Sequence, residues 1–275
     1  MPIKIIATDL DGTLMSPDHV TITERTKNTL LKTHNMGIKI AIATGRTLGF
    51  ITPVIEQIPF VDFIIFSNGA SVYDVKRQKI IYKNHIPPES THKILEKLHG
   101  LNVYYNTYVD STVYIQDGKQ QFYTNRDLPE DFLKLFMASS KTCKNLAEEL
   151  NGGSAEIIAV YSSDEALRNE LCEYFKSLGL LVTASLKDEI EATVPSANKG
   201  AALKGLCELL QIKREEAMAF GDALNDIQMI EFAGFSFAMG NACEELKKAA
   251  SFITLSNAED GLATAVEKYA LNGKS

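Results

Sequence analysis

The stretch IKIIATDLDGTLM, residues 3–15, runs a β-branched apolar segment straight into Asp9 and Asp11, one residue apart, and then Gly12. Ile5, Ile6 and Ala7 read as a short strand buried on both faces, the pattern of a parallel sheet covered by helices. Carboxylates delivered by such a strand are costly to bury unless something compensates them. Either the two aspartates stand at a harmless strand end, or a cation holds them for chemistry.

Outward from this strand, strand-like and helix-like segments alternate. TERTKNTLLKTHNM (23–36) has helical spacing, with Thr21 or Thr23 as N-cap and Gly37 as the stop. IKIAIAT (38–44) is a second buried strand, TLGFITPVIEQI (47–58) a short helix and VDFIIFSNG (61–69) a third strand. This order predicts a parallel sheet with right-handed crossovers. After residue 84 the texture changes. YYNTYVDSTVYIQDGKQQFYT (104–124) alternates, is rich in Tyr, Thr and Val, and carries a turn signal at Asp117-Gly118, which predicts antiparallel strands. AEIIAVYS (155–162), the helical DEALRNELCEYFKSL (164–178) and LLVTASL (180–186) continue a mixed region. From about residue 189 the crossover rhythm returns with IEATV, a helix over 198–211, AMAFGD, a helix after Leu224, FSFAMG and a helix over 259–271. The expected fold is α/β: a Rossmann-like, doubly wound parallel-sheet core over 1–84 and 188–275, with an α+β domain inserted over 85–187. Linkers are expected near 83–88 and 187–189.

The 275 residues exceed the usual single-domain size, and 45% apolar with 23% charged residues are ordinary globular values. A net charge of −7 argues against a nucleic-acid surface. Cys143, Cys172, Cys207 and Cys243 form no C-x-x-C pair and read as four reduced thiols. No charged leader is visible, and no apolar run approaches the roughly 18 residues of a membrane span. A soluble cytoplasmic protein is expected, one that engages neither membrane nor nucleic acid; the sequence does not set its oligomeric state.

Ligands of open parallel sheets bind beyond the carboxyl ends of the strands. Here those ends read DLDGT, TGR (44–46), SNGA (67–70), GDALND (221–226) and MGNA (239–242), all polar and glycine-marked. Asp9, Asp11 and Asp222 on one rim repel one another unless a hard cation neutralises them, and an all-oxygen set suits Mg²⁺. Thr44 offers a hydroxyl and Gly45 an unobstructed N–H for phosphate oxygens, while Lys199, opening the helix NKGAAL, would add positive charge. An aspartate can act as nucleophile on phosphorus. Each element also has a plain reading. D-x-D-G departs from the spacing of a calcium loop. Thr44-Gly45 turns a strand into a helix, and Arg46 forms a surface ion pair. Asn68-Gly69 makes a type I′ turn between FIIF and SVYD, Lys199 is a solvated helix-start lysine, and Asp222 caps a helix.

With all these elements in order, the chain resembles the haloacid dehalogenase superfamily of phosphohydrolases, in its Cof-type, sugar-phosphatase-like branch. DLDGTL (9–14), TGR (44–46), Lys199 and GDALND (221–226) match its four motifs, and SNGA and MGNA match the branch. The resemblance implies Asp9 as nucleophile and Asp11 as general acid and then base. It implies Mg²⁺ held by the Asp9 carboxylate, the Asp11 backbone carbonyl and Asp222. Leu10 through its N–H, Thr44, Gly45, Lys199 and Asn225 would bind phosphate, with Arg46 and Asn68 as further substrate-side candidates, and Asp226 would orient Lys199. The insertion would be a cap that closes over the site and selects a small phosphorylated metabolite. Tyr104, Tyr105 and Tyr108 either line its inner face or belong to its sheet core. The expected activity is Mg²⁺-dependent phosphomonoester hydrolysis. A phosphomutase or a non-catalytic phospho-acceptor would share Asp9, but a switch that must keep its phosphoryl group gains nothing from Asp11.

Overall fold

The computed structural model describes residues 2–124, 130–138, 140–183 and 188–271. Strand β1 (Ile5–Thr8) is buried throughout. β2 (Lys39–Ala43) and β3 (Phe63–Phe66) follow in parallel, Ile6 beside Ile40 and Ile42 beside Ile64. Between β1 and β2 runs the helix Glu24–Asn35, whose first turn is capped by the Thr23 hydroxyl accepting from the Thr26 N–H. Between β2 and β3 lies Thr52–Gln57, with Pro53 in its first turn, where a missing N–H costs nothing. β4 (Ser71–Asp74) and β5 (Lys79–Lys83) then turn back antiparallel. The turn from β3 to β4 spans four residues, not the two of a type I′ hairpin: Phe66 pairs with Ser71, and Ser67, Asn68 and Gly69 have φ of 49°, 52° and 96°.

Residues 84–197 form one compact unit, and the segments flanking it form another. The inserted unit holds β6 (Tyr104–Val109), β7 (Thr112–Gln116), β8 (Ser140–Cys143), β9 (Ile157–Tyr161), β10 (Leu181–Thr183) and β11 (Glu189–Thr193). They lie in the order β10-β11-β9-β6-β7-β8, antiparallel except for β7 with β8. Helices Pro88–His99 and Glu165–Ser177 bury Ile94, Leu95, Leu98, Leu171 and Phe175 in one core with Tyr105, Ile158 and Val160.

Two expectations are corrected here. The hairpin turn falls at Asp110-Ser111, where φ is positive at both residues (46° and 68°), as a two-residue turn matching strand twist requires. Asp117-Gly118 leads instead towards the helix Gln120–Thr124. The strand IEATV belongs to the inserted unit, because β11 pairs antiparallel with β9, so the return to the core comes at Asn198 and not at 188. A short apolar run reads alike in either sheet, and its partner strand decides. The expected linker 187–189 overlaps β11 at Glu189, while residues 184–186 of LLVTASL and residue 187 of that linker lie outside the described residues.

β12 (Ala217–Gly221), β13 (Phe235–Ala238) and β14 (Phe252–Ile253) complete the core sheet, in the order β14-β13-β12-β1-β2-β3-β4-β5. β1 lies between β2 and β12, both parallel to it, so the winding reverses at β1 and a crevice opens beyond its carboxyl end. Phe220 of β12 stacks on Phe237 of β13 with ring centroids 5.0 Å apart, and Phe237 on Phe252 at 5.1 Å. Among the described residues no helix is long and apolar enough to cross a membrane, and all four cysteines are free. Phe220→Ala should lower stability by about 3–5 kcal/mol through the cavity it leaves. The urea midpoint of the folding transition reads this directly, and an unchanged midpoint would contradict the packing described.

Candidate active site

Asp9 is the first residue past β1, and its N–H donates to the Phe220 carbonyl of β12 at 2.9 Å, so the sheet itself fixes where this aspartate stands. Residues 10–14 then form one wide turn, closed by the Met15 N–H donating to the Leu10 carbonyl at 2.9 Å. Gly12 holds a φ of 80°, and a Cβ there would fall on the Asp222 carboxylate. The glycine of D-x-D-G is therefore required twice, by backbone conformation and by space.

Lys199 is fully buried at the start of the helix Lys199–Leu210, which Asn198 caps by accepting from the Ala201 N–H. Its Nζ donates to Asp9 Oδ1 and to Asp226 Oδ1, each at 2.6 Å. The other Asp226 oxygen accepts from the N–H groups of Asp222 (3.0 Å) and Ala223 (3.1 Å). The solvated-lysine reading is thus overturned. So is the reading of Asp222 as a cap: Ala223, not Asp222, precedes the helical turn Leu224–Asp226, and Asp222 Oδ1 accepts instead from the Thr13 hydroxyl at 2.9 Å.

Carboxylate oxygens of Asp9, Asp222 and Asp226 lie within 4.8 Å of one another. The third carboxylate of the cluster is therefore Asp226 and not Asp11, whose side chain is turned to Arg46. Burial raises the pKa of Asp9 well above the ordinary range; Asp226 adds to this and Lys199 opposes it. Burial also raises Asp222, against the pull of the Thr13 hydroxyl. For Lys199 burial acts downward, but the Asp9 and Asp226 carboxylates outweigh it and hold the ammonium above its usual value. Three carboxylates face one ammonium, an excess of negative charge in an oxygen-only setting. That donor set fits a hard divalent cation such as Mg²⁺. Asp226 is fully engaged by Lys199 and two backbone amides, which leaves Asp9 and Asp222 as the side chains able to hold it.

Asp11 accepts from Arg46 Nε at 2.9 Å and Nη2 at 2.5 Å, and stands 3.4 Å from His19 Nδ1. Arg46 does form an ion pair, but with a rim aspartate that is 38% exposed. The Thr44 N–H donates to the Ile65 carbonyl of β3, and its hydroxyl accepts from the Arg46 N–H at 3.1 Å. Gly45 lies against the Asn68 amide, and Asn68 Oδ1 accepts from Asn225 Nδ2 at 3.0 Å. Gly69 matters for closeness, since a Cβ there would strike the Asn198 carbonyl at the start of the lysine helix. The SNGA segment is therefore both a turn and a packing surface for the lysine helix. Leu10 is fully buried. His19 carried no signal in the sequence; φ of 55° puts it on a loop that only the fold brings to Asp11. In the inserted unit Tyr105 belongs to the sheet core, whereas Tyr104 stacks on Phe122 at 3.9 Å between ring centroids.

This lysine–carboxylate cluster stands at the switch point of a doubly wound, Rossmann-like sheet, where such folds bind their ligands. The haloacid dehalogenase-like hydrolase family profile matches residues 6–266. Among curated proteins, Phosphatase YwpJ of Bacillus subtilis is 30% identical, over 94% of this chain and 97% of its own. The 5-amino-6-(5-phospho-D-ribitylamino)uracil phosphatase YcsE of Bacillus subtilis is 30% identical, over 98% and 96%. Among solved structures, TM0651 from Thermotoga maritima is 28% identical and superposes with a TM-score of 0.81, covering 97% of both chains. The chain belongs to the haloacid dehalogenase-like hydrolases, as a Cof-type phosphatase, an enzyme of the phosphoric monoester hydrolase class.

Lys199→Met should cost about 3–5 kcal/mol at pH 8, because Asp9 and Asp226 would remain buried without a counter-charge. The cost should shrink at pH 4, close to the ordinary value of 3.8 above which burial raises Asp9, where its carboxyl takes up a proton. Denaturant melts at the two pH values measure the difference; equal losses would mean that the ammonium is not the compensating charge.

Proposed function

We propose that this protein hydrolyses small phosphomonoesters through a phosphoryl group carried on Asp9, with Mg²⁺ as cofactor. The observation that supports it best is the buried bridge from Lys199 to Asp9 Oδ1 and Asp226 Oδ1. One oxygen of Asp9 is tied down, so the direction of the carboxylate is set before substrate arrives, as in-line attack requires. The Asp9 carboxylate attacks phosphorus, the ester P–O bond breaks, and Asp11 gives its proton to the leaving alkoxide. Water then attacks the same phosphorus, yielding its proton to Asp11 as the Asp9–phosphorus bond breaks, and inorganic phosphate leaves. Asp11 suits this part because it sits two residues from Asp9 yet reaches solvent.

Thr44, Gly45, Asn225 and the Leu10 N–H bind the phosphoryl oxygens in this reading, and Lys199 supplies charge next to them. Asp226 orients Lys199, and Asn68 orients Asn225 through their 3.0 Å hydrogen bond. Arg46 reaches substrate only by releasing an oxygen of Asp11. The Asp9 and Asp222 carboxylates with the Asp11 backbone carbonyl would hold Mg²⁺, which would supply neutralisation of the charge developing on the transferring group. The inserted unit selects among substrates. That the relative YcsE takes a phosphorylated ribitylaminouracil supports a small metabolite as substrate, and hence work in the cytoplasm.

Phosphate release from a panel of sugar phosphates and phosphorylated cofactors is the direct test. Turnover should require Mg²⁺, vanish with EDTA and fall at least ~10³-fold in Asp9→Asn, a loss on the scale of removing a covalent nucleophile. A wild type inert on every ester in the presence of Mg²⁺ would refute the reading. A second prediction concerns pH. Asp9 and Asp222 bind protons more tightly folded than unfolded, so metal-free stability should fall as pH rises from their ordinary value of 3.8 through their raised values. Mg²⁺ should reverse that loss and raise the thermal midpoint more at pH 8 than at pH 4, close to the ordinary value of 3.8. An equal rise at both would show that these carboxylates are not the ligands.

A further inference from the structure

Asn241 of the MGNA segment is exposed, yet both ends of its amide are taken by backbone. Its Nδ2 donates to the Gly12 carbonyl at 2.8 Å, and its Oδ1 accepts from the Asn257 N–H at 3.1 Å. A carbonyl at one end and an N–H at the other leave the amide a single satisfying orientation. Asn257 then donates from its own Nδ2 to the Met15 carbonyl at 2.9 Å. The two asparagines thus grip the 10–14 turn at its middle and just past its end. Around them the Gly240 N–H donates to the Leu255 carbonyl, the Met239 N–H to Gly221 and the Cys243 N–H to Asp222. Three rim loops, 9–15, 221–226 and 254–257, meet on this one short segment.

Two backbone bonds close the turn they hold, from the Leu14 N–H to the Asp9 carbonyl at 3.3 Å and from the Met15 N–H to the Leu10 carbonyl at 2.9 Å, and neither engages the Gly12 carbonyl. Gly12, at φ 80°, has no Cβ to limit rotation. Rotation there would swing Asp11 on one side and the Thr13 hydroxyl that holds Asp222 on the other.

We infer that Asn241, with Asn257 behind it, is a positioning residue for phosphoryl transfer: it clamps the Gly12 carbonyl so that Asp11 and the Thr13–Asp222 pair stay in register with Asp9. The inference deepens the phosphatase reading and rests on it for its effect on rate. Asn241→Ala and Asn257→Ala, singly and together, test it by steady-state kinetics and by amide hydrogen exchange of the peptide covering residues 9–16 in the metal-free protein. Asn241→Ala should lower kcat about 10- to 100-fold with KM within about twofold, the signature of lost alignment rather than lost binding. Exchange at Leu14 and Met15 should quicken about tenfold, the scale of one lost hydrogen bond. The double variant should lose little more than the worse single, because the pair acts as one clamp. Unchanged exchange in 9–16 would overturn the inference, and so would quickened exchange with kcat intact. A wild type without turnover would sink the phosphatase reading instead, and exchange would then decide the clamp by itself.

Discussion

An ammonium group with no access to water has to be compensated by its immediate neighbours, and Lys199 meets that condition through two carboxylates at 2.6 Å. Much of the rim can be understood from this constraint. Asp9 must arrive from β1 and Asp226 from the turn after β12, so the two strands have to be adjacent; they are, in parallel register from Ile5 beside Ala217 to Thr8 beside Phe220. The lysine helix must begin close to the turn after β3, and Gly69 permits that approach. Asp226 must be satisfied on its other oxygen, and the Asp222 and Ala223 amides do so. Removing any one partner leaves a buried charge stranded.

The same cluster stays negative after Lys199 has been counted, and that residue of charge is what makes the site receptive to a divalent ion. Stability and function therefore oppose each other at Asp9 and Asp222: burial penalises their ionised forms, yet ionised forms are what a metal and a nucleophilic attack require. Thr13 and Gly12 moderate the conflict, one by a hydrogen bond and one by leaving space.

The core was legible because its signals are local. IIAT needs both faces covered, Thr23 and Asn198 cap the helices they precede, and every rim motif stands where a strand runs out. The errors came where the deciding fact lay far along the chain. IEATV has no feature that says whether β9 or a core strand lies beside it. Asp110-Ser111 makes the hairpin turn despite lacking glycine, because β6 and β7 supply the register that holds both residues at positive φ. The helix Pro88–His99 begins at the last residue of a stretch read as a linker, and it buries Thr91, Ile94, Leu95 and Leu98 on one face. In the site, Asp226 displaced Asp11 from the carboxylate cluster because sequence order says nothing of which way a side chain turns. Asn241 looked like part of a family signature, and only its bonds to Gly12 and Asn257 reveal a task.

The margins of the core sheet carry a consequence of another kind. One margin is β5, where Lys79 and Lys83 bracket Ile80, Ile81 and Tyr82; the other is β14, only two residues long. An eight-stranded sheet with long bare edges would be a template on which foreign chains could add strands, and sticky intermediates would accumulate as newly made molecules crowd together. Two lysines at one border and an abbreviated strand at the other deny such a chain both a neutral landing strip and enough backbone partners to stay. The sheet that holds the chemistry is thereby kept from growing beyond itself.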